Sequence, residues 1–287
     1  MMAAFSGDAM NPGPVGGAVW YIETHLGGAL SLAEIADFAK VSRFHLLRAF
    51  GAATGRSVMS YVRARRLTEA ARQLAAGATD ILGVAIGAGY ASHEAFTRAF
   101  REEFGQTPDA VRAQGHTGNI RLVEALGMTE NFVSLEQPRF EEGRVILVAG
   151  LGERYTFDTN QGIPFLWQRF VPYIGQVEGQ VGRATYGVCC NMDGSGSFEY
   201  VAGVEVRDFS DVPPELRRIR IPKQRYAVFR HHDHVSTLRL TVYTIWNKWL
   251  PQSGCALADS PDYELYAEDF NGRTGTGTIE IWLPIRS

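Results

Sequence analysis

From Val15 to about Gly115, apolar residues recur at every third or fourth position, the period of helices that bury one face. Ser31 followed by Glu34 predicts a capping box: the serine oxygen accepts a backbone N–H and the glutamate reaches back, starting a helix near Leu32. Ser42 and Ser92 precede two similar segments that Gly55 and Gly105 follow, predicting serine N-caps and left-handed glycine ends. Thr107-Pro108 predicts one more start, with proline in the first helical position. Between the two segments, Ser57 to Ala76 reads as one longer helix, apolar at Val58, Tyr61, Val62, Leu67, Ala70, Ala71 and Leu74. Its Arg63, Arg65, Arg66 and Arg72 are expected to face solvent or phosphate.

Beyond Gly115 the period changes, with a short helix expected at Ile120 to Leu126 and β-rich sequence after it. Strands are expected at Phe132–Leu135, Arg144–Leu151, Arg183–Cys190, Phe198–Val206, Leu216–Ile221, Ala227–His231, Tyr263–Glu268 and Thr278–Pro284, set off by Gly, Pro and Asp clusters. Helices are expected at Ile163–Pro172 and Ser236–Pro251. The patterns together predict two domains, an all-α tandem helix-turn-helix of homeodomain-like form and an α+β domain of two pseudo-symmetric βαββ units. The expected bounds are a flexible arm at 1–14, a helical domain at 15–115, a linker at 116–130 and an α+β domain at 131–287.

Two internal repeats support this division. Val41 to Phe50 and Ala91 to Phe100 share serine, an apolar residue, arginine, alanine and phenylalanine at matching places, fifty residues apart. Leu166 to Pro172 matches Ile245 to Pro251 in residue type at all seven positions, offset by 79. Trp167 and Trp246, inside that second repeat, read as core anchors of their helices.

Charge changes the picture only locally. The net formal charge of −3 argues against a nucleic-acid partner. Residues 40–72, however, hold Lys40, Arg43, Arg48, Arg56, Arg63, Arg65, Arg66 and Arg72 against Glu69 alone, a balance of +7. Three cysteines, two of them the adjacent Cys189 and Cys190, do not make a disulfide framework and read as reduced core or strand residues. No apolar run approaches a membrane span, and the start lacks the features of a secretory signal, so a cytoplasmic protein without a membrane partner is expected.

An α-helix fits the major groove, where an arginine can donate two hydrogen bonds to guanine. Arg48 and Arg98 hold equivalent positions in the first repeat. The groove-facing row of the first copy is expected to be Ser42, Arg43, Phe44, His45, Leu47 and Arg48, with Leu46 and Phe50 inward. That of the second is Ser92, His93, Glu94, Thr97 and Arg98, with Phe96 and Phe100 inward. The first copy, beside the basic helix, is expected to carry more of the affinity and the second to tune specificity.

With Ser31-Leu32, Ile35-Ala36, His45-Leu46, Arg48-Ala49-Phe50, Thr54-Gly55, Tyr61, Arg65-Arg66-Leu67, Gly89-Tyr90, Phe96, Arg98, Phe100, Phe104-Gly105 and Thr107-Pro108 in place, residues 15–115 resemble the AraC/XylS-type DNA-binding domain. The resemblance implies two recognition helices in successive major-groove segments of double-stranded promoter DNA, with RNA polymerase as a possible further partner. One departure is Lys40, which stands in the first turn where that family usually has glycine.

From about 131 to 285, Tyr200 to Val206, Tyr226 to Phe229, Tyr263 to Tyr266 and Ile279 to Ile285 resemble the gyrase-inhibitor-like effector-binding domain. That implies a groove for small, often apolar or cationic molecules, with a glutamate in a Glu-x-Tyr position near its centre. Here that glutamate is Glu264. Strand alternation puts Tyr263 and Leu265 on one face, expected under the helices, and Asp262, Glu264 and Tyr266 on the other. Effector contacts are expected from Glu264, Tyr266, Trp282, Tyr186 and Tyr155, a carboxylate among aromatics suited to a lipophilic cation. His231-His232-Asp233-His234 carries metal-ligand residue types but is equally explained as a polar turn, and no metal, cofactor or catalytic residue is assigned. The expected function is a DNA-binding transcriptional regulator that senses a small effector and is not an enzyme. The alternatives are a small-molecule hydrolase, with Glu264 as base, or a protein-docking module in the C-terminal half.

Overall fold

A computed structural model describes residues 13–126, 132–193 and 196–286. The expected arm at 1–14 lies outside these but for its last two residues, as does the end of the expected linker. The chain divides into two compact units, Met1–Leu46 with Val58–Thr129 and Leu47–Ser57 with Glu130–Ser287.

The first unit is helical. Its elements are α1 (Gly13–Thr24), α2 (Leu32–Phe38), the start of α3 (Arg43–Thr54), α4 (Val58–Ala75), α5 (Ile81–Gly87), α6 (His93–Phe104) and α7 (Pro108–Gln114). The expected punctuation is present. Glu34 N–H donates to the Ser31 hydroxyl and the Glu34 carboxylate accepts from the Ser31 N–H, closing the capping box on α2. Ser42 accepts from His45 N–H at 3.1 Å and Ser92 from Ala95 N–H at 3.2 Å. Lys40 takes the left-handed turn at φ 55°, a conformation that costs an L-residue on the order of 1 kcal/mol. Phe96, Phe100 and Phe104 on α6 pack with Leu67 and Leu74 of α4 and Val111 of α7.

The helix expected at Ile120–Leu126 does not form. Its amides are taken by α4 instead: Val123 N–H donates to the Thr68 hydroxyl and Leu126 N–H to the Tyr61 hydroxyl, both at 3.1 Å. The segment therefore runs along the core, with Ile120 and Leu122 packed against it.

The second unit holds an antiparallel sheet of β1 (Arg139–Gly143), β2 (Ile146–Tyr155), β3 (Gln180–Cys190), β4 (Phe198–Val206), β5 (Arg217–Ile221), β6 (Gln224–His231), β7 (Asp262–Tyr266) and β8 (Ile279–Ile285). Their order across the sheet is β1-β6-β8-β7-β3-β4-β2-β5. Helix α8 (Ile163–Phe170) follows β2, and α9 (Leu238–Thr244), a π-helical segment at Ile245–Trp249 and α10 (Leu250–Ser253) follow β6. The two expected βαββ units are thus β2-α8-β3-β4 and β6-α9-β7-β8. They join where β3 pairs with β7, from Thr185 opposite Tyr266 to Cys189 opposite Asp262.

The expectation missed β1, a short edge strand with the polar sequence Arg-Phe-Glu-Glu-Gly. It also placed a strand at Phe132–Leu135, where none forms. That segment is tied to α9, with Phe132 stacked on Tyr243 at 5.2 Å and Val133 N–H donating to the Thr244 hydroxyl at 3.1 Å.

A second correction concerns the faces of the sheet. Alternation grouped Asp262, Glu264 and Tyr266 correctly against Tyr263 and Leu265, but the helices cover the first group. Trp167 of α8 meets Tyr266 edge-on at 5.0 Å, and Trp249 of the π segment meets Phe229 at 4.7 Å on the same face. Tyr263 faces the other way, where its ring stacks on Trp282 at 5.3 Å and lies with Tyr186 and Tyr226 in a separate cluster.

Candidate effector groove and DNA-reading helices

Strands β3 and β7 lie at the join of the two βαββ units, with α8 on one half and the π segment on the other. The side chains they raise on the helix face surround Glu264, the residue expected at the centre of an effector groove. Glu264 Oε2 accepts from the Tyr200 hydroxyl at 2.8 Å and the Tyr266 hydroxyl at 2.9 Å, and the Trp167 indole N–H donates to the Tyr200 oxygen at 3.1 Å. Among the described residues no donor lies on Oε1. Gly187 makes the arrangement possible: a Cβ there would stand 2.0 Å from the Tyr200 hydroxyl and 2.8 Å from Glu264 Oε2. Burial pushes the Glu264 carboxyl above the usual carboxylate range, against the downward pull of the Tyr200 and Tyr266 hydroxyls and of Arg48.

Asp262, two residues along β7, was not anticipated as a site residue. It pairs with the Arg48 guanidinium, and both side chains are about nine-tenths buried. Arg48 Nη1 also donates to the Cys189 sulfur at 3.3 Å, and the guanidinium lies over the Trp246 ring at 5.4 Å and near the Phe198 ring at 5.9 Å. Burial raises the Asp262 carboxyl and Arg48 opposes it; burial likewise opposes the charge on Arg48, and Asp262 outweighs it. Burial pushes both vicinal thiols up, Cys190 to about 12, so neither carries the thiolate a redox sensor needs.

Of the five expected effector residues, the structure brings Glu264 and Tyr266 together. Tyr186 and Trp282 lie on the opposite face of the sheet, Tyr186 donating to Glu205 at 3.1 Å and Trp282 to Glu280 at 3.1 Å. The reason is register, since Tyr186 pairs with Leu265 and Trp282 with Tyr263, and directly paired residues share a face. Tyr155 donates to Glu153 at 2.7 Å and packs towards Phe198 rather than Glu264. Trp246 is a buried core anchor as expected, 1% exposed and under the Arg48 guanidinium, whereas Trp167 is half-buried and reaches Tyr200 and Tyr266 beside Glu264. Its matched position in the helical repeat was the signal that could have found it.

The rows expected to read DNA differ between copies. In the second, Glu94 and Arg98 are exposed on α6 and Ser92, His93 and Thr97 are half-buried, with Phe96 and Phe100 inward as expected. In the first, Ser42 and Arg43 are exposed and Phe44 is half-buried, whereas His45, Leu47 and Arg48 are buried. The expected exposure of those three is therefore corrected; for Arg48 the physical cause is the ion pair with Asp262. The basic helix α4 is corrected as well. Arg65 is locked to Glu23 and Arg66 donates to the Leu26 carbonyl at 2.9 Å, while Arg72 pairs with Glu69 and Glu124; Arg63 is exposed.

The histidine run closes a turn. His231 lies 2.8 Å from the Thr241 hydroxyl and 3.2 Å from the His234 carbonyl, and His234 Nδ1 lies 3.2 Å from the Ser236 amide that it caps. Among the described residues no group of three or more His, Cys, Asp or Glu is placed to hold a metal ion, and no helix is long and apolar enough to cross a membrane.

Residues 136–286 match the GyrI-like small molecule binding domain, more than half of the chain. The chain belongs to that family. Ahead of its GyrI-like domain, residues 35–114 match a helix-turn-helix domain of the AraC type, which is DNA-binding. The transcriptional regulator Rob of Salmonella typhimurium is 25% identical over 286 residues, covering 93% of this chain and 96% of that protein. The right origin-binding protein of Escherichia coli is 39% identical over 124 residues, and the transcriptional regulator BrlR of Pseudomonas aeruginosa 30% over 122. In those two the matched segments span 43% and 45% of the relative's length. The GyrI-like chain is therefore similar to the Salmonella regulator over nearly its whole length and to the other two over 41% and 42% of its own.

Proposed function

We propose that the chain is a one-component transcription regulator of the cytoplasm, in which a small lipophilic cation bound at Glu264 alters how the helix-turn-helix region engages promoter DNA and, through it, RNA polymerase. The observation that carries this is the Glu264 carboxylate, held on one oxygen by two tyrosine hydroxyls, one of which also accepts from the Trp167 indole, with no donor among the described residues on its other oxygen. A cation entering such a site gains charge pairing and contact with aromatic faces. Rob and BrlR are transcriptional regulators by name, which supports a regulator rather than an enzyme.

Calorimetry with tetraphenylphosphonium tests the ligand half. Glu264→Gln is expected to weaken binding at least tenfold, and wild-type affinity to rise with pH through the elevated Glu264 pKa, since the cation selects the ionised carboxylate. In the ligand-free protein the sign reverses: the fold favours the neutral acid, so this group's contribution to stability declines as pH rises from 4.5 to the elevated value. Equal affinity in Glu264→Gln and a flat pH profile would refute the assignment. DNA affinity must shift with saturating cation by the same factor as cation affinity shifts with DNA.

For the DNA half we assign readout to the two rows above, with Arg98 the exposed arginine of the second. Arg98→Ala should cost about 1–3 kcal/mol and relax specificity at one base pair. Selection from a random duplex library by wild type and variant reads this directly; identical selected sequences at equal affinity would remove Arg98 from the interface.

A further inference from the structure

Within the second unit, Leu47–Ser57 lies on the walls of the effector groove. Its Arg48 stands over Trp246 and on Asp262, two residues along β7 from Glu264, the carboxylate to which the proposed function assigns a cationic ligand. We propose that Arg48 is a built-in occupant of the effector groove, and that a cationic effector frees α3 for DNA by taking its place on Asp262 and Trp246. This rests on the reading of the groove as a cation site.

Three observations carry it. First, one guanidinium has two exclusive uses: Arg48 is the repeat partner of Arg98 in the DNA-reading row, and it cannot reach a guanine while it is buried on Asp262. Second, the arginine is held incompletely. Its Nε is buried without a partner, and Nη1 has a thiol, a weak acceptor, as its contact. A buried cation with unsatisfied donors is one that a better-fitting cation can replace.

Third, the groove is shaped to the helix as well as to the side chain. The π-helical segment, a rare geometry concentrated at functional sites, brings the Asn247 amide within 3.1 Å of the Ala49 carbonyl. Gly51, in the interior of α3 where glycine is disfavoured, is explained by the same approach, since a Cβ there would stand 2.0 Å from the Phe157 ring. The chemistry of the displaced group describes the displacing one. It is a cation that offers a flat aromatic or amidinium face to Trp246 and its positive charge to Asp262, and tetraphenylphosphonium, with its phenyl rings around a positive centre, supplies both.

The test uses the full chain and a duplex selected by it from a random library. Without any cation, Gly51→Ala and Asp262→Asn should each bind this DNA about tenfold more tightly than wild type. Gly51→Ala removes no polar contact and adds a better helix former, so it stays folded if Asp262→Asn does not. Arg48→Ala should bind tetraphenylphosphonium at least tenfold more tightly by calorimetry, because the groove is vacated. DNA affinity at or below the wild-type level in Gly51→Ala overturns the inference. So does tetraphenylphosphonium binding that depends on Glu264 but not on Arg48, a result that leaves the cation reading standing. Failure of wild type and Arg48→Ala alike to bind the cation overturns that reading instead, and the DNA affinities then decide whether Asp262 restrains α3.

Discussion

Arg65→Ala lowers the stability of the helical unit by about 3 kcal/mol in denaturant unfolding, near the low end of the cost of breaking a buried ion pair. The sequence places Arg65 in a basic helix beside DNA, yet its guanidinium closes two bonds on Glu23, at 2.9 and 2.8 Å, and a third on the Val123 carbonyl at 3.0 Å. The low end applies because the Glu23 side chain keeps 22% of its surface exposed and can rehydrate. Glu23→Gln combined with Arg65→Met should recover most of the loss, since no charge is then left buried. The pH dependence follows from Glu23. Burial pushes its carboxyl up, but the hydrogen bonds from Arg65 and Tyr61 prevail and hold it below the ordinary glutamate value of 4.5. Its stabilisation is thus fully present above pH 4.5 and is lost as pH falls through the lower folded value. The gap between wild type and Arg65→Ala should narrow at pH 3; a constant gap from pH 7 to pH 3 would contradict the ion pair. Arg65→Ala protein that is still folded should keep the wild-type salt dependence of DNA binding, because Arg65 neutralises Glu23 and no phosphate.

Phe100→Ala costs about 3–5 kcal/mol, the range for deleting a fully buried aromatic side chain. Phe100 is 0% exposed, with Phe96 at 5.4 Å and Phe104 at 4.8 Å on the same helix. Those rings fix the roll of α6 and therefore the direction in which Arg98 points. Loss of sequence selectivity should accompany the loss of stability, and Phe100→Leu should cost less than half as much, because most of the volume is kept. Thermal unfolding followed by near-ultraviolet circular dichroism reads the first quantity. A loss under 1 kcal/mol for Phe100→Ala would mean that the cluster is not a packed core.

What could be read along the chain was what short-range chemistry settles. The capping box at Ser31, the serine caps at 42 and 92, the left-handed Gly55 and Gly105 and the two βαββ units follow from residues a few positions apart. Propensity and alternation also grouped Asp262, Glu264 and Tyr266 on one face. The edge strand β1 escaped because its polar residues do not alternate with apolar ones.

By itself, then, the sequence determined the repeated helix-turn-helix, the tandem βαββ pattern and the face of β7 that carries Asp262, Glu264 and Tyr266. Periodicity and capping act within a few residues and do not need the rest of the chain. Tertiary structure alone decided which face of the sheet the helices cover, because alternation is symmetric between faces. It also decided the fate of the arginines. An isolated arginine is soluble and equally suited to phosphate, base or carboxylate, and only folding brings Glu23 to Arg65 across 42 residues and Asp262 to Arg48 across 214.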